Sequence, residues 1–168
     1  MIDLSGKVAV VTGGTRGIGR AIAETLAGQV DDAVSKGATL HAGGVLGEAP
    51  AAFYSPAVLT GVTKDMRAYR EELFGPVAVV YKVASDDEAL TLANDTPYGL
   101  GGSVFSADEG RAARLAAQLE VGMSNVNSTA GEGAEIPFGG VKRSGYGKDL
   151  SMYALEDYTA VRHVMVKY

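Results

Sequence analysis

An α/β fold with a parallel sheet is predicted for this chain of 168 residues. From residue 77 onward, two strand–helix–strand units follow one another, and each helix is preceded by a capping sequence of serine and acidic residues. The chain also opens on a strand, a glycine-rich turn and a helix. Helices that alternate with buried strands cover a parallel sheet on both faces. We therefore expect one three-layer domain over residues 1–168.

The first predicted unit occupies the N-terminal quarter of the chain. Residues 8–11 form a short apolar run, which is typical of a strand buried on both faces of a parallel sheet. A helical pattern starts at Ile18, and Gly37 marks its predicted end. Thr39–Ala42 is the next predicted strand, so the pattern favours a strand–helix–strand unit. One helix face is predicted from four residues spaced four apart, Ile22, Leu26, Val30 and Val34.

Further along, residues 77–83, 103–105 and 123–127 are predicted strands. The helices between them start at two capping boxes that open with Ser85 and Ser106. The second helix carries an apolar stripe of Ala112, Leu115, Ala116 and Leu119. A short helix at 152–158 and a last strand at 161–168 complete the prediction. Such a terminal strand exposes a pairing edge, which must be covered or must bind another subunit.

Composition excludes several classes of function. A formal charge of −5 argues against a nucleic-acid surface, and no apolar run reaches the roughly 18 residues of a membrane helix. The N-terminus lacks a signal-peptide pattern, so we expect a cytoplasmic protein. The chain contains no cysteine, which excludes disulfides, zinc–thiolate sites and a cysteine nucleophile within it. Of the two histidines, His41 and His163, each is interpreted as an ordinary strand residue, and no metal site is expected.

A glycine-rich turn at residues 12–19 stands between the first strand and the first helix. Glycines let the backbone approach a pyrophosphate, and a helix N-terminus offers free N–H groups. The string resembles the TGxxxGxG fingerprint of short-chain dehydrogenases/reductases, and residues 1–28 resemble their first strand–turn–helix. The resemblance implies cofactor binding by Thr12, Gly13, Arg16, Gly17 and Gly19, and the basic Arg16 favours NADP over NAD.

Two features of that family are missing. No acidic residue closes the strand at Thr39–Ala42, where a ribose ligand is expected, and no Tyr-x-x-x-Lys pair occurs. The alternative interpretation is a tight strand–helix turn that has no dinucleotide ligand.

Most of the remaining chain resembles aldehyde dehydrogenases. The strings that carry this resemblance, in order, are DAVSKGA (32–38), ELFGPV (72–77), ANDTPYGL (93–100), PFGGVKRSG (137–145) and LEDYT (155–159). Several independent motifs in one order make it specific. We therefore expect an α/β fold like the C-terminal catalytic part of that family at residues 29–160, followed by an oligomerisation-type strand at 161–168.

The aldehyde dehydrogenase resemblance implies a role for three side chains. Glu72 matches the glutamate that binds the nicotinamide ribose, and Phe74 matches the aromatic residue beside the nicotinamide. Phe138 matches a residue that lines the aldehyde tunnel. The implied cofactor is NAD or NADP, and the implied substrate is a small aldehyde. Alternatively, Glu72 is a solvated carboxylate beside Glu71, and Phe138 is a core residue.

The catalytic thiol and general base of aldehyde dehydrogenases lie upstream of the segment resembled here. The sequence therefore predicts no catalytic residue in this chain. It favours an oxidoreductase fragment or chimera, joined near residues 28–30, without autonomous aldehyde oxidation. Two alternatives are a non-catalytic dinucleotide-binding module, and an interaction protein that pairs its terminal strand with itself or with a related subunit.

Overall fold

A computed structural model describes residues 9–10, 17–47, 53–129 and 133–168 of the chain. Helices and strands alternate through these residues, which confirms the predicted α/β class. The chain divides into two compact units, Met1–Lys82 (unit 1) and Val83–Tyr168 (unit 2). Within the described ranges, no helix combines the length and the apolar character needed to cross a membrane.

Unit 1 contains a three-stranded sheet, a two-stranded sheet and two helices in its described part. Its elements are β1 (Ala9–Val10), α1 (Gly17–Ser35), β2 (Thr39–Ala42), β3 (Phe53–Tyr54), β4 (Ala57–Thr60), α2 (Arg67–Arg70) and β5 (Val77–Val80). The larger sheet has the order β2-β4-β5, in which β4 is parallel to β5 and antiparallel to β2. The helix α1 ends before Gly37, which has a φ of 104° and donates its N–H to the Val34 carbonyl, so the predicted end is confirmed.

The prediction that the first strand enters a parallel strand–helix–strand unit is wrong. β1 pairs antiparallel with β3, where Ala9 lies opposite Tyr54, and β2 pairs antiparallel with β4. β1 and β2 therefore belong to different sheets, although α1 connects them. The partner strand β3 has only two residues, and so short a strand carries no hydrophobic period that sequence analysis could detect.

The core of unit 1 lies where α1 packs against the strands. Leu26, Val30 and Ala33 of α1 are buried there. The predicted helix face is correct as far as Val30 but wrong at Val34, which is 41% exposed. Each four-residue step overshoots a helical turn by about 40°, so the buried face moves to Ala33. The other buried members of the core are Ala38, Tyr54, Ala57, Leu59, Val62, Met66 and Ala68.

Tyr54 is wholly buried in this core, and no described residue forms a hydrogen bond with its hydroxyl. Burial raises the pKa of Tyr54 to about 12, and the negative charge of Asp31 contributes to the same shift. The phenol therefore stays neutral in the folded chain below that pH.

Unit 2 contains two two-stranded sheets and three helices in its described part. Its elements are α3 (Asp86–Asn94), β6 (Tyr98–Gly99), β7 (Gly101–Val104), α4 (Glu109–Ala116), β8 (Met123–Val126), β9 (Val141–Lys142) and α5 (Ser151–Asp157). β7 and β8 are parallel, α4 packs against both, and β6 is antiparallel to β9. The predicted stripe of α4 is confirmed, because Ala112 and Ala116 are buried while Leu115 and Leu119 are half-buried.

The two predicted helix caps have different outcomes. Ser85 caps α3 as predicted, since its Oγ accepts a hydrogen bond from the Glu88 N–H over 3.2 Å. The predicted cap at Ser106 is wrong. Asp108 caps α4 instead, because its Oδ1 accepts from the Arg111 N–H over 2.9 Å and satisfies a free donor in the first turn.

The C-terminal residues 159–168 belong to no helix or strand within this chain. The apolar side chains of Val161, Val164, Met165 and Val166 are exposed there. A strand needs a hydrogen-bonded neighbour, so the pairing of this segment with another subunit stays a prediction. His163 lies in the same segment, whereas His41 is an ordinary residue of β2 whose Nε2 lies 2.8 Å from the Thr60 hydroxyl.

Candidate functional site

Glu72 and Phe74, two of the predicted site residues, lie on the loop of residues 71–76 between α2 and β5. Both side chains are exposed, Phe74 to 69%. A carboxylate and an aromatic ring therefore face solvent two residues apart. Exposure is equally typical of a solvated carboxylate. The contacts that hold the loop therefore decide between a binding role for Glu72 and a solvated side chain.

The 71–76 loop makes two tight turns just before β5. The Gly75 N–H donates to the Leu73 carbonyl, and the Val77 N–H donates to the Gly75 carbonyl, each over 2.8 Å. The Pro76 carbonyl then accepts from the Ala57 N–H at the start of β4, over 2.9 Å. The end of the loop is therefore tied to the sheet by its own backbone.

Helix α1 holds the other side of the 71–76 loop. Gln29 is only 3% exposed, and its Nε2 donates to Glu71 Oε2 over 2.9 Å and to the Glu72 carbonyl over 3.2 Å. One turn earlier, Leu26 packs against Gly75. A Cβ at Gly75 would lie 2.3 Å from Leu26 Cδ2, so a side chain at position 75 would displace the end of the Leu26 side chain.

Charged side chains join α1, α2 and the start of the loop. The Arg67 Nε lies 3.0 Å from both carboxylate oxygens of Glu71, and the Arg67 backbone N–H donates to Asp32 Oδ2 over 2.9 Å. Hydrogen bonds from Arg67 and from Gln29 lower the pKa of Glu71. The backbone N–H of Arg67, followed by the ammonium of Lys36, lowers the pKa of Asp32. The loop thus starts from an ionised carboxylate with partners on two sides.

The glycine-rich turn is only partly covered by the structure. Thr12, Gly13 and Arg16 lie outside the described residues. Gly17 is the first residue of α1, and Gly19 belongs to the first turn of the same helix. The first N–H groups of a helix have no partner within the helix, which is the arrangement that an anion site requires. Binding of a phosphate by this turn stays a prediction.

Unit 2 has an open cavity of about 410 Å³ beside Phe138. This volume is in the range that accommodates small ligands. Glycine-rich loops form much of the wall, together with aromatic rings, one lysine and two aspartates. The lining residues are Leu100, Phe138, Gly139, Gly140, Ser144, Gly145, Tyr146, Gly147, Lys148, Asp149, Asp157 and Tyr158.

Phe138 is held on the cavity wall by its backbone. Its N–H donates to the Asp149 carbonyl over 2.8 Å, and its carbonyl accepts from the Asp149 N–H over 2.7 Å, which makes an antiparallel bridge. The Phe138 side chain is 47% exposed. The interpretation of Phe138 as a core residue is therefore wrong, and its ring is accessible from the cavity.

A lysine and one close backbone approach fix the loops around the cavity. A Cβ at Gly122 would lie 2.0 Å from the Gly139 carbonyl oxygen, so these two glycine backbones are in direct contact. Lys148 Nζ donates to the Gly140 carbonyl over 2.7 Å, and its backbone N–H donates to Asp157 Oδ2 over 2.8 Å. The loop that carries Phe138 is thereby packed on both sides.

Lys142, on β9, ties this loop to the end of α3. Its Nζ donates to the carbonyls of Asn94 and Thr96 over 3.0 and 3.2 Å, and lies 2.7 Å from Glu120 Oε2. Lys142 adopts a φ of 56°, the left-handed region that costs energy for a side chain other than glycine.

Sequence analysis did not select Gln29, Arg67 or Lys142. Arg67 had a local signal, because Glu71 stands four residues later on the same helical turn and carries the opposite charge. The backbone carbonyls that Gln29 and Lys142 bind lie more than 40 residues away, so nothing near these residues in the sequence identifies them. Among the described residues, no group of three histidine or acidic side chains could hold a metal ion.

Residues 16–164 match the aldehyde dehydrogenase family. The match begins inside the segment 1–28 that we interpreted as reductase-like. A succinate-semialdehyde dehydrogenase (NADP+) from Deinococcus radiodurans is 56% identical over 137 residues, which are 82% of this chain and 29% of the relative. Its counterpart from Mycobacterium ulcerans is 41% identical over 143 residues, 85% of this chain and 31% of the relative. The chain thus spans about 30% of the length of these relatives.

Solved structures of aldehyde dehydrogenases are also similar to this chain. A succinic semialdehyde dehydrogenase from Streptococcus pyogenes in complex with NADP+ has a TM-score of 0.75 at 42% identity, over 80% of this chain and 30% of that one. A betaine aldehyde dehydrogenase from Staphylococcus aureus in complex with NAD+ has a TM-score of 0.76 at 37% identity, over 82% of this chain and 28% of that one.

Proposed function

Because the chain belongs to the aldehyde dehydrogenase family, we propose that its 71–76 loop binds the nicotinamide ribose of NAD or NADP. The observation that carries the proposal is the exposed pair Glu72 and Phe74 on a loop whose backbone is held by the buried Gln29. A carboxylate accepts hydrogen bonds from both hydroxyls of a ribose, and an aromatic ring restricts the swing of the nicotinamide. The residues present therefore fit this part of the cofactor.

The second part of the proposal concerns the substrate. We place a small aldehyde in the cavity beside Phe138, and the succinate-semialdehyde dehydrogenases among the relatives make succinic semialdehyde the first compound to test. NAD or NADP, when bound, accepts a hydride in the reaction of the family. The chain's own contribution is to hold the ribose at Glu72 and to line the aldehyde cavity at Phe138.

The chain lacks the nucleophile of the family reaction. The chain has no cysteine, and the family reaction starts with attack by a cysteine thiolate. We propose that the purified chain forms no NADH or NADPH with succinic semialdehyde, and that oxidation needs a thiol from another segment or subunit. Absorbance of the reduced cofactor measures this directly. Turnover that copurifies with the chain would overturn this part of the proposal.

Cofactor binding is tested by calorimetric titration of the whole chain with NADP and with NAD. Glu72→Gln should weaken binding about tenfold, because a neutral amide accepts more weakly than a carboxylate. Asp87→Asn is the matched control, since Asp87 is an exposed carboxylate of unit 2 outside both sites. No heat from the wild-type chain at millimolar cofactor would end the proposal.

The glycine-rich turn supports a second candidate function, dinucleotide binding by a reductase-like segment at residues 1–28. α1 begins at Gly17, within this glycine-rich segment, and the first N–H groups of a helix have no partner inside the helix and can bind a phosphate. If Arg16 binds the 2′-phosphate, Arg16→Gln lowers the affinity for NADP and leaves that for NAD unchanged. Equal losses for both cofactors, or none, would refute this role of Arg16.

Assembly and location belong to the same proposal. Exposed apolar side chains at residues 161–168 favour pairing with a second copy or with a related subunit, and sedimentation of the full chain against a version with Val164→Asp and Val166→Asp tests it. A wild-type monomer with no co-purifying relative would contradict the pairing. The expected cytoplasmic location is tested by fractionation of cells that express the tagged chain.

A further inference from the structure

We propose that Gln29 is the positioning residue of the cofactor loop, and that its amide sets the direction in which Glu72 and Phe74 face the nicotinamide half of the dinucleotide. The inference rests on the proposed function, which assigns the 71–76 loop to the nicotinamide ribose. Its structural basis is independent of that function, because it consists of contacts made without any ligand.

Gln29 is a polar residue at a buried position of α1. Among the residues whose side chains the structure describes, it is the one polar residue in the buried class, at 3% exposure. Its neighbours on the inner side of α1 are the apolar Leu26, Val30 and Ala33. Burial of an amide is unfavourable unless its donors find acceptors. An apolar side chain would fill this position without that requirement, so the reason for an amide lies in what it binds.

The two acceptors of the Gln29 amide belong to consecutive residues at the start of the loop. One N–H reaches the Glu71 carboxylate over 2.9 Å, and the other reaches the Glu72 carbonyl over 3.2 Å. The second contact fixes the peptide plane between Glu72 and Leu73. The backbone orientation of Glu72 therefore depends on a side chain 43 residues earlier in the sequence.

Other contacts restrain the loop around this point. Arg67 binds the same Glu71 carboxylate as Gln29, and Leu26 touches Gly75 at the far end of the loop. One helix thus contacts both ends of the segment that carries Glu72 and Phe74. Both site side chains point into solvent while the backbone beneath them is bound, which is the arrangement a pre-organised binding loop needs.

The decisive comparison is Gln29→Met, which preserves the length and the burial of the side chain but removes both donors. Binding of NADP should weaken about tenfold, since the loss of hydrogen bonds to a carbonyl and a carboxylate frees the loop. Binding of 2′,5′-ADP, which lacks the nicotinamide ribose, should not change. Gln29→His keeps one N–H near the position of Nε2, and it should recover part of the NADP affinity.

The control is Val30→Ala, which removes buried volume from the adjacent position of α1 and touches neither acceptor. It lowers stability but should leave the ratio of NADP to 2′,5′-ADP affinity unchanged. Equal ratios in Gln29→Met, Val30→Ala and the wild type would overturn the inference, because a merely structural role affects both ligands alike.

A second measurement separates this inference from the proposed function. Hydrogen exchange of the Gly75 and Val77 amides in the chain without cofactor should become about tenfold faster in Gln29→Met and not in Val30→Ala. If the wild type binds no dinucleotide but exchange changes as expected, the proposed function fails and the positioning role stands. Unchanged exchange in both Gln29→Met and Gln29→His refutes the positioning role, and if the methionine variant does not fold, the histidine variant decides.

Discussion

The loop of residues 71–76 in unit 1 and the Phe138 loop in unit 2 are held in different ways. Gln29 and Leu26 restrain the first loop through buried side chains of α1. The second relies mainly on backbone contacts, namely the bridge from Phe138 to Asp149 and the approach of a glycine pair, to which the Lys148 ammonium adds a hydrogen bond to the Gly140 carbonyl. A loop held by side chains is released when a donor is removed. A loop held by close backbones is disrupted when an atom is added.

The two units also differ in how much apolar surface they bury. In the described residues, unit 1 has a connected core that includes Tyr54 and Leu59, whereas the buried apolar residues of unit 2 are Ala112 and Ala116. Most of the large apolar side chains that are exposed belong to unit 2. Because apolar burial is the main stabilising contribution, unit 1 should resist unfolding better than unit 2.

The largest expected effect is in the core of unit 1. Leu59→Ala should lower the free energy of unfolding by about 3 kcal/mol, because Leu59 is completely buried and the substitution leaves a cavity. The matched change in unit 2 is Leu115→Ala, at a half-buried position of α4, with a loss of about 1 kcal/mol. Urea unfolding with amide exchange in β4 and β8 measures both. Equal losses would contradict the difference in cores.

The glycine contact in unit 2 comes next. Gly122→Ala places a methyl group 2.0 Å from the Gly139 carbonyl oxygen, and the forced backbone shift should cost about 2 kcal/mol. Gly101→Ala is the control, since its nearest atom would lie at 3.6 Å. Exchange of the Phe138 and Asp149 amides should accelerate only in the first variant. If exchange of these amides is unchanged in Gly122→Ala, the glycine contact does not hold the Phe138 loop.

A smaller effect is expected at the lysine on β9. Lys142→Met leaves the carbonyls of Asn94 and Thr96 and the Glu120 carboxylate without their shared donor, which should cost about 1 to 2 kcal/mol. Lys167→Met, in the exposed C-terminal segment, should change the unfolding free energy by less than about 0.5 kcal/mol. If both variants unfold at the same urea concentration as the wild type, the lysine does not stabilise unit 2.

The smallest effect is a pH dependence of the stability of unit 1. The pKa of Glu71 and that of Asp32 are lowered in the folded chain, so their ionised forms stabilise it above the unfolded values of 4.5 and 3.8. This stability is lost as the pH falls through the lower folded values. Arg67→Met removes the guanidinium that binds the Glu71 carboxylate but keeps the backbone N–H that binds Asp32, so the urea midpoint should fall less between pH 6 and about pH 3 than in the wild type. A wild-type midpoint that is flat over the same range would contradict it.

Sequence patterns predicted local features well and distant contacts poorly. The Ser85 cap and the end of α1 at Gly37 depend on residues three or four positions apart, and both are confirmed. The pairing of β1 with β3 spans more than 40 residues, and it was predicted wrongly. Motifs select Glu72 and Phe74 as candidate site residues, and their role stays a prediction. The amide of Gln29 beneath them could not be inferred, because an isolated glutamine has no pattern that reveals its acceptors.

The buried phenol of Tyr54 gives unit 1 an internal spectroscopic reporter. The pKa of Tyr54 is about 12 in the folded chain and 10.0 in an exposed tyrosine, so near pH 11 this group is neutral when folded and ionised when unfolded. The folded state of unit 1 therefore becomes less stable as the pH rises above about 10. A pH jump should produce a slow rise in phenolate absorbance whose rate is the opening rate of unit 1. The difference from Tyr54→Phe isolates that signal from the other tyrosines.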